Sequence, residues 1–311
     1  MRGLLRDDTA GDPMGRRGVW TGKRLRAISR ELAQLGLRAC PNTVRRLLAE
    51  LDYALHTNRK SLCSNHPDRN EQFAYLTYQR QQFCQAGCPI ISVDSKKKEL
   101  VGQFKNHGRV WSQAPIRVRD HDFRSEAQGL ATPYGIYDLS ANRATVIVGT
   151  SHDTPDFAVD AICQWWRQRG RRRYSQAPEL LILADSGGSN GPRCRAWKLA
   201  LQEKLADPFG LAVTVCHYPT GASKWNPVEH RVFSEISKHW AGQPLRDYQT
   251  IVRLVGGTQT RTGLRVSCAL STKYYPTKKH ISEEQMQHLD LIKHATLPEW
   301  NYTLFPRHTR N

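Results

Sequence analysis

Long apolar runs are missing from this 311-residue chain, and nothing in it approaches the roughly 18 to 20 consecutive apolar residues of a membrane-spanning helix. The segment 1–11 also lacks the apolar centre of a signal peptide, so the sequence predicts a cytoplasmic protein with no membrane partner. Acidic residues are scarce. Asp and Glu number 28 against 46 Lys and Arg, a net charge of +18 that suits a nucleic-acid partner, although ribosomal and membrane-surface proteins share such a balance. The eight cysteines are scattered, and the one close pair, Cys84-x-x-x-Cys88, has no second pair to complete a zinc site. Reduced thiols are therefore expected. No Gly-x-x-x-x-Gly-Lys-Ser/Thr loop and no Gly-x-Gly-x-x-Gly after a strand is found, which removes the usual supports for P-loop hydrolysis and dinucleotide binding.

What the chain does contain falls into two regimes. Leu25, Ile28, Leu32 and Leu35 recur at helical spacing before Gly36 breaks the run, and a second helix should start near Pro41 with Val44, Leu47, Leu48 and Leu51 inward. Two short helices around a glycine-containing turn make a helix-turn-helix candidate, whose second helix would present Asn42, Thr43, Arg45 and Arg46 to DNA. A helical hairpin with a solvated basic face fits the same pattern. After a polar stretch, Asp68 opens a helix running towards Phe83. Strands are then expected at 89–93, 100–104, 144–149, 180–184 and 211–216, with helices at 157–169, 193–205 and 227–240. Early strands adjoining one another, followed by helix and strand in alternation, predict an α/β mixed sheet flanked by helices.

Three acids carry the chemistry. Asp94 ends the apolar strand Ile90-Ile91-Ser92-Val93, Asp185 ends Leu181-Ile182-Leu183-Ala184, and Glu229 opens a helix in Trp225-Asn226-Pro227-Val228-Glu229. Each has a plainer reading, because Asp forms turns where strands end and Asn226-Pro227-Val228-Glu229 fits a capping box. At about 100° per residue, however, Glu229 falls in the arc of Val228, Val232, Phe233, Ile236 and Trp240, the inward stripe. An inward carboxylate needs a proton or a cation. Three oxygen donors without a Cys or His shell suit two hard ions of the Mg²⁺ type, the arrangement used for phosphodiester cleavage and transfer. Asp120, Asp122 and Asp153 are second-rank candidates in loops. Lys96, Lys97, Lys98, Lys224 and His230 flank the acids and are candidate DNA contacts, or simply solvated bases. Arg167, Arg169, Arg171, Arg172 and Arg173 form a basic run placed between a helix and a strand, a candidate phosphate-contacting loop.

These motifs stand in a wider pattern. Asn58-Arg59-Lys60, His66-Pro67-Asp68-Arg69, Val93-Asp94-Ser95-Lys96-Lys97-Lys98-Glu99, Asp120-His121-Asp122-Phe123, Gly149-Thr150-Ser151-His152-Asp153-Thr154 and Ala184-Asp185-Ser186-Gly187-Gly188-Ser189-Asn190-Gly191 occur in order. Ser223-Lys224-Trp225-Asn226-Pro227-Val228-Glu229-His230-Arg231 and Thr260-Arg261-Thr262-Gly263-Leu264-Arg265-Val266 follow. In them the chain resembles the DDE transposases of the insertion-sequence family named after the element ISAzo-thirteen. The resemblance implies an RNase H-like α/β catalytic core at 89–243, preceded by an all-α helix-turn-helix region at 20–56 and a linker with a connecting helix at 57–88, and followed by a C-terminal extension at 244–311. It implies Asp94, Asp185 and Glu229 as metal ligands for two Mg²⁺ ions, with Mn²⁺ as substitute. It further implies Mg-dependent DNA cleavage and strand transfer on element ends and target DNA by a homo-oligomer. Relatives carry more sequence ahead of the helix-turn-helix, so residues 1–19 are read as the remnant of a longer N-terminus. A silent DNA-binding remnant acting as a repressor and an RNase H-type nuclease are the rival readings.

Overall fold

A computed structural model of the chain describes residues 9–10, 20–55, 66–222 and 225–307. The chain divides into two compact units, Met1–Cys63 and Ser64–Asn311.

In the first unit, β1 (Thr9–Ala10) pairs antiparallel with β2 (Trp20–Thr21) ahead of α1 (Leu25–Gln34) and α2 (Pro41–Ala49). Ile28, Leu32 and Val44 are buried between the two helices, with Leu25, Ala39 and Leu48 packed around them. Gly36 makes the turn at φ +78°, a backbone state that costs glycine little, and the Ser29 hydroxyl donates to the Ala39 carbonyl at 2.5 Å. Pro41 occupies the first helical position as expected. Leu35 departs from expectation: it is 67% exposed, because α1 ends at Gln34 and its carbonyls are closed by the turn instead.

The second unit is built on one sheet. It begins with α3 (Arg69–Gln85) and continues through β3 (Ile90–Ser95), β4 (Glu99–Val101), β5 (Gly129–Asp138) and β6 (Arg143–Gly149). α4 (Pro155–Trp165) runs on through a π-helical turn (Trp166–Gly170) into Arg171–Arg173. β7 (Glu179–Ala184) follows, then α5 (Arg195–Leu201), also extended by a π-helical turn (Gln202–Ala206), and β8 (Ala212–His217). A third π-helical turn (Glu229–Phe233) leads into α6 (Ser234–His239), followed by α7 (Tyr248–Gly256), β9 (Arg265–Ser271), α8 (Glu283–Gln287), β10 (Leu291–Lys293) and β11 (Asn301–Leu304).

The strand order is β10-β11-β8-β7-β3-β5-β6-β9, with β4 paired to β5. Its middle, β6-β5-β3-β7-β8, has β5 antiparallel to both neighbours and β7 and β8 parallel to β3, which is the RNase H-like arrangement. Alternate side chains divide between two faces, as the pleat requires. Ile91, Val93, Tyr134, Ile136, Leu180 and Ile182 face α4 and α5, whereas Tyr137, Val146 and Val148 face α6 and α7. On the second face Ile90, Leu181 and Leu183 meet α3 through Leu76 and Phe83. Each fully buried side chain of this size contributes on the order of 2 kcal/mol of apolar transfer.

Two differences from the sequence reading concern whole elements. β5, the strand beside β3, has no counterpart among the expected strands, because Pro133 and Gly135 interrupt its pattern. The Pro133 carbonyl accepts from the Lys96 amide, so its ring nitrogen faces the same side at the very end of β3, where the one bond forgone is the reciprocal bond to Lys96. The expected extension after residue 243 also contributes strands to the sheet. β9 pairs parallel with β6 and β11 antiparallel with β8, which places these strands in the same compact unit as 89–243.

Candidate active site

The register decides which acids meet. Val93 pairs with Ala184 across the parallel β3 and β7, so Asp94 and Asp185 stand side by side at the carboxyl ends of neighbouring strands, about 4.8 Å apart in the ladder direction. Both share the parity of Ser92 and Leu183, so they project to the face that also carries Val228 and Val232. Glu229 enters from that side, half-buried and within hydrogen-bonding reach of Asp94. Gly135, the partner of Asp94 on β5, permits the approach: a Cβ there would stand 2.7 Å from the Phe233 ring and 2.9 Å from Val228 Cγ2.

Amides hold the acids. The Ser95 amide donates to Asp94 Oδ1 at 2.7 Å, and Asn226 Nδ2 donates to Asp94 Oδ2 at 3.1 Å. Asn226, fully buried, also accepts from Ser92 Oγ, which in turn accepts from the Val228 amide at 3.1 Å. The capping-box reading of Asn226 is therefore not realised: its side chain ties the glutamate segment to β3 instead of capping the helix. Asn190 Nδ2 donates to Asp185 Oδ1 at 3.1 Å, and the His217 ring donates through Nδ1 to the Asp185 carbonyl at 2.9 Å. Burial lowers His217 to about 4, which leaves the ring neutral.

Electrostatically the acids oppose one another. Burial pushes Asp94 up to about 8, with the charges of Asp185 and Glu229 adding to it. Asp185 rises to about 6, again chiefly through burial, while Gly187 and Asn190 resist the shift by hydrogen bonding. Glu229 is raised by burial and pulled back by its bond to Asp94 and by the charges of Lys96 and His230. A proton shared between Asp94 and Glu229 relieves the repulsion. Asp153, second-rank in the sequence, lies close enough to raise Asp185. Buried and without a hydrogen-bond partner are Ser95 Oγ, Asp153 Oδ1 and Tyr134 Oη, and the Tyr134 phenol feels the charges of Asp94, Asp153 and Asp185. Among the described residues no three His, Cys, Asp or Glu side chains are drawn together around one ion position. The chemistry of the donors nevertheless fits hard divalent cations: oxygen ligands and crowded negative charge in one place.

The other candidates divide. His230 is exposed beside Glu229, and Lys97 and Lys98 are exposed just beyond Asp94. Lys96 is less free than expected, because its ammonium pairs with Glu99 at 2.6 Å over the Trp240 ring. Lys224 lies outside the described residues, as do Asn58, Arg59 and Lys60. Asp120 and Asp122 are exposed. In the first unit Asn42, Arg45 and Arg46 are exposed on α2 and Thr43 is half-buried against Cys40. Arg171, Arg172 and Arg173 are a correction: they belong to the last turn of a helix rather than a loop, because α4 continues through Gly170, where a Cβ would stand 2.4 Å from Trp166. They also lie away from the acids. Residues 187–191 have the Gly-x-Ser-x-Gly spacing of a nucleophile elbow, but Ser189 is buried and its hydroxyl bonds to Asn190, so no base activates it.

Asn190, Gly135 and His217 carry no local signal in the sequence, and Asn226 carries only that of a helix cap. The only trace of their role is their place beside the acids in chain or register. Seven of the eight cysteines are described, all free. Among the described residues no helix is long and apolar enough to cross a membrane.

Solved structures similar to the chain include the Mos1 transposase paired-end complex with left transposon end, at 16% identity over 76% of this chain and 71% of that one, TM-score 0.42. The Mos1 mariner paired-end complexes with Mn and with Mg are similar at 16% and 15% identity, covering 76% and 78% of this chain and 71% and 73% of those, both with TM-score 0.42. No curated protein matches. Residues 1–306 match the family described as Rhodopirellula transposase DDE domain, and the protein accordingly belongs to this family of DDE transposases, metal-dependent polynucleotidyl transferases that cleave and transfer DNA strands.

Proposed function

We propose that Asp94, Asp185 and Glu229 are the three acids of the DDE signature and hold two Mg²⁺ ions, with Mn²⁺ able to replace them. The observation that carries the assignment is their convergence on one sheet face, with the proton affinity of all three raised by burial and that of Asp94 raised further by the charges of the other two. When bound, the ions would activate a water or 3′-hydroxyl and stabilise the leaving oxygen of an in-line displacement. The chain's own contribution is positional. The Ser95 amide and Asn226 fix both oxygens of Asp94, Asn190 fixes one of Asp185, and Gly135 lets the glutamate segment close on β3. Lys96 and His230 supply positive charge at Glu229. The DNA is the terminal repeat of an insertion element and its target, with α2 offering Asn42, Thr43, Arg45 and Arg46 and the acid site offering Lys97 and Lys98, while Lys224 stands as a contact on its sequence context alone. The working form is a homo-oligomer on DNA.

The test is strand joining. Asp94→Asn, Asp185→Asn and Glu229→Gln should each abolish Mg-dependent cleavage and joining of a labelled element end while leaving end binding within about twofold, since each changes one carboxylate and no DNA-facing base. Joining retained by any variant overturns that residue's role. Cleavage without joining by the wild-type protein would favour a nuclease, and binding without either would favour a repressor.

A further inference from the structure

At the end of the sheet opposite the acids, five arginines surround a cavity of about 650 Å³: Arg143 at the start of β6, Arg265 at the start of β9, and Arg169, Arg172 and Arg173 from the end of α4. Arg143 and Arg265 are Cα partners on neighbouring parallel strands. The three helical arginines are spaced i, i+3 and i+4, one face of a helix, and Trp165, four residues before Arg169, continues the stripe into the core. Arg167 faces elsewhere, over the Phe209 ring.

Among the described residues none of the five has an ion-pair partner. The acid in the cavity wall, Asp138, is buried, and its carboxylate is taken by the Tyr174 hydroxyl at 2.9 and 3.0 Å and the Ala141 amide at 2.9 Å. Arg143 uses its guanidinium on the Asn142 and Gly263 carbonyls, which neutralise no charge. Like charges directly opposite on paired strands are unfavourable, and a helix adding three more against the single buried carboxylate of Asp138 leaves an excess of positive charge. Such an arrangement is relieved by an anion. The apolar part of the lining, Trp165, Ala144 and Val266, is buried, so no aromatic face is offered to a base. What is exposed is guanidinium, whose planar fork matches phosphate oxygens two at a time.

We infer that this basic end grips the sugar-phosphate backbone of duplex DNA, at a site separate from the scissile phosphate. Arg143 pairs with Asp138, which pairs with Ile91, so it sits three residues back from Asp94 along the strand direction and two strands across. Arg265 is one strand further, so the two ends are separated on the order of 15 Å in backbone alone. The site rests on the reading of the protein as a DNA-handling enzyme and adds a second contact surface to it. Because the contacts are to phosphate, they carry no sequence preference.

The experiment measures anisotropy of a labelled duplex of arbitrary sequence, about 30 base pairs, with the full chain across a series of NaCl concentrations. Arg143→Gln/Arg265→Gln, Arg169→Gln/Arg172→Gln/Arg173→Gln and the fivefold combination are compared with the wild type. Each lost phosphate contact should remove about 0.9 from the slope of log K against log salt, so the combination should lose up to about 4.5 and bind at least about tenfold more weakly. The matching Lys variants should recover most of the affinity. An unchanged slope and affinity in the fivefold variant, with wild type binding normally, overturns the basic-end site alone. No duplex binding by the wild type overturns the wider DNA reading instead. Thermal stabilisation by inorganic phosphate that the fivefold variant loses, with duplex binding unchanged, would mark a small-anion site and also overturn the proposal.

Discussion

One sheet ends in unbalanced negative charge at one side and unbalanced positive charge at the other, and the two are built differently. The acid end is drawn from three segments, β3, the end of β7 and the π-helical turn before α6, and every acid is steadied by amides or close packing. The arginine end takes three of its five cations from the last turns of α4 and holds them by no ion pair. Carboxylates crowded out of water must be fixed against repulsion. Exposed guanidinium groups can stand closer together, because solvent screens part, though not all, of their repulsion.

The comparison is broken most severely at the acid end. Asp185→Asn should reduce strand transfer by at least about a thousandfold, a loss on the order of 4 kcal/mol of transition-state stabilisation, whereas the fivefold Arg→Gln change should leave joining of a pre-cut end detectable at high enzyme concentration. Equal losses from both would mean that the two ends do not have separate tasks. Next in size is Gly135→Ala. Its Cβ would meet Phe233 and Val228 inside 3 Å, so about 1–3 kcal/mol of stability should be lost along with the approach of Glu229 to Asp94. A denaturant midpoint equal to wild type would show that the segment yields without cost. Asn226→Ala should cost about 1–3 kcal/mol, because it leaves Ser92 and Asp94 with unmet partners in a buried site, and Asn226→Leu should not restore activity.

Proton linkage distinguishes the ends without any substrate. Asp94 stands at about 8 and Asp185 at about 6 against an ordinary 3.8, so the folded protein binds protons that the unfolded chain has released. The stability they contribute is whole below about pH 4 and is lost as pH rises through 6 and 8. Melting of chelator-treated protein between pH 5 and 9 should show this decline, and Asp94→Asn should flatten it; parallel curves for the two proteins would refute the shift. The smallest effect belongs to the basic end. Arg265→Gln relieves repulsion from Arg143 and should raise stability by about 0.2–1 kcal/mol at low salt, a gain that 0.5 M salt, roughly, should erase.

Much of the site was legible because its acids follow apolar strands of recognisable pattern. Asp94 and Asp185 terminate runs that are buried on both faces, and Glu229 falls on the inward stripe of its helix. The family resemblance then joined three positions that no local pattern connects. β5 stayed hidden because proline and glycine spoil its alternation, and their compatibility with a central strand depends on where β3 stops and where Phe233 packs. Asn226 looked like a cap because its neighbours form one in isolation, and only the approach of Ser92 and Asp94 gives its amide a better set of partners.

Composition, the period of the apolar residues and the order of the motifs determined a basic, two-regime protein with two acids closing apolar strands and a third on the inward stripe of a helix. Tertiary structure alone decided the register of β3 against β7, the joining of the strands after residue 243 to the same sheet, and the placement of the arginine run at the far end from the acids. The physical reason is that local pattern specifies which face of an element is apolar, whereas register, strand order and the direction in which a charge finally points depend on contacts between residues far apart in the chain.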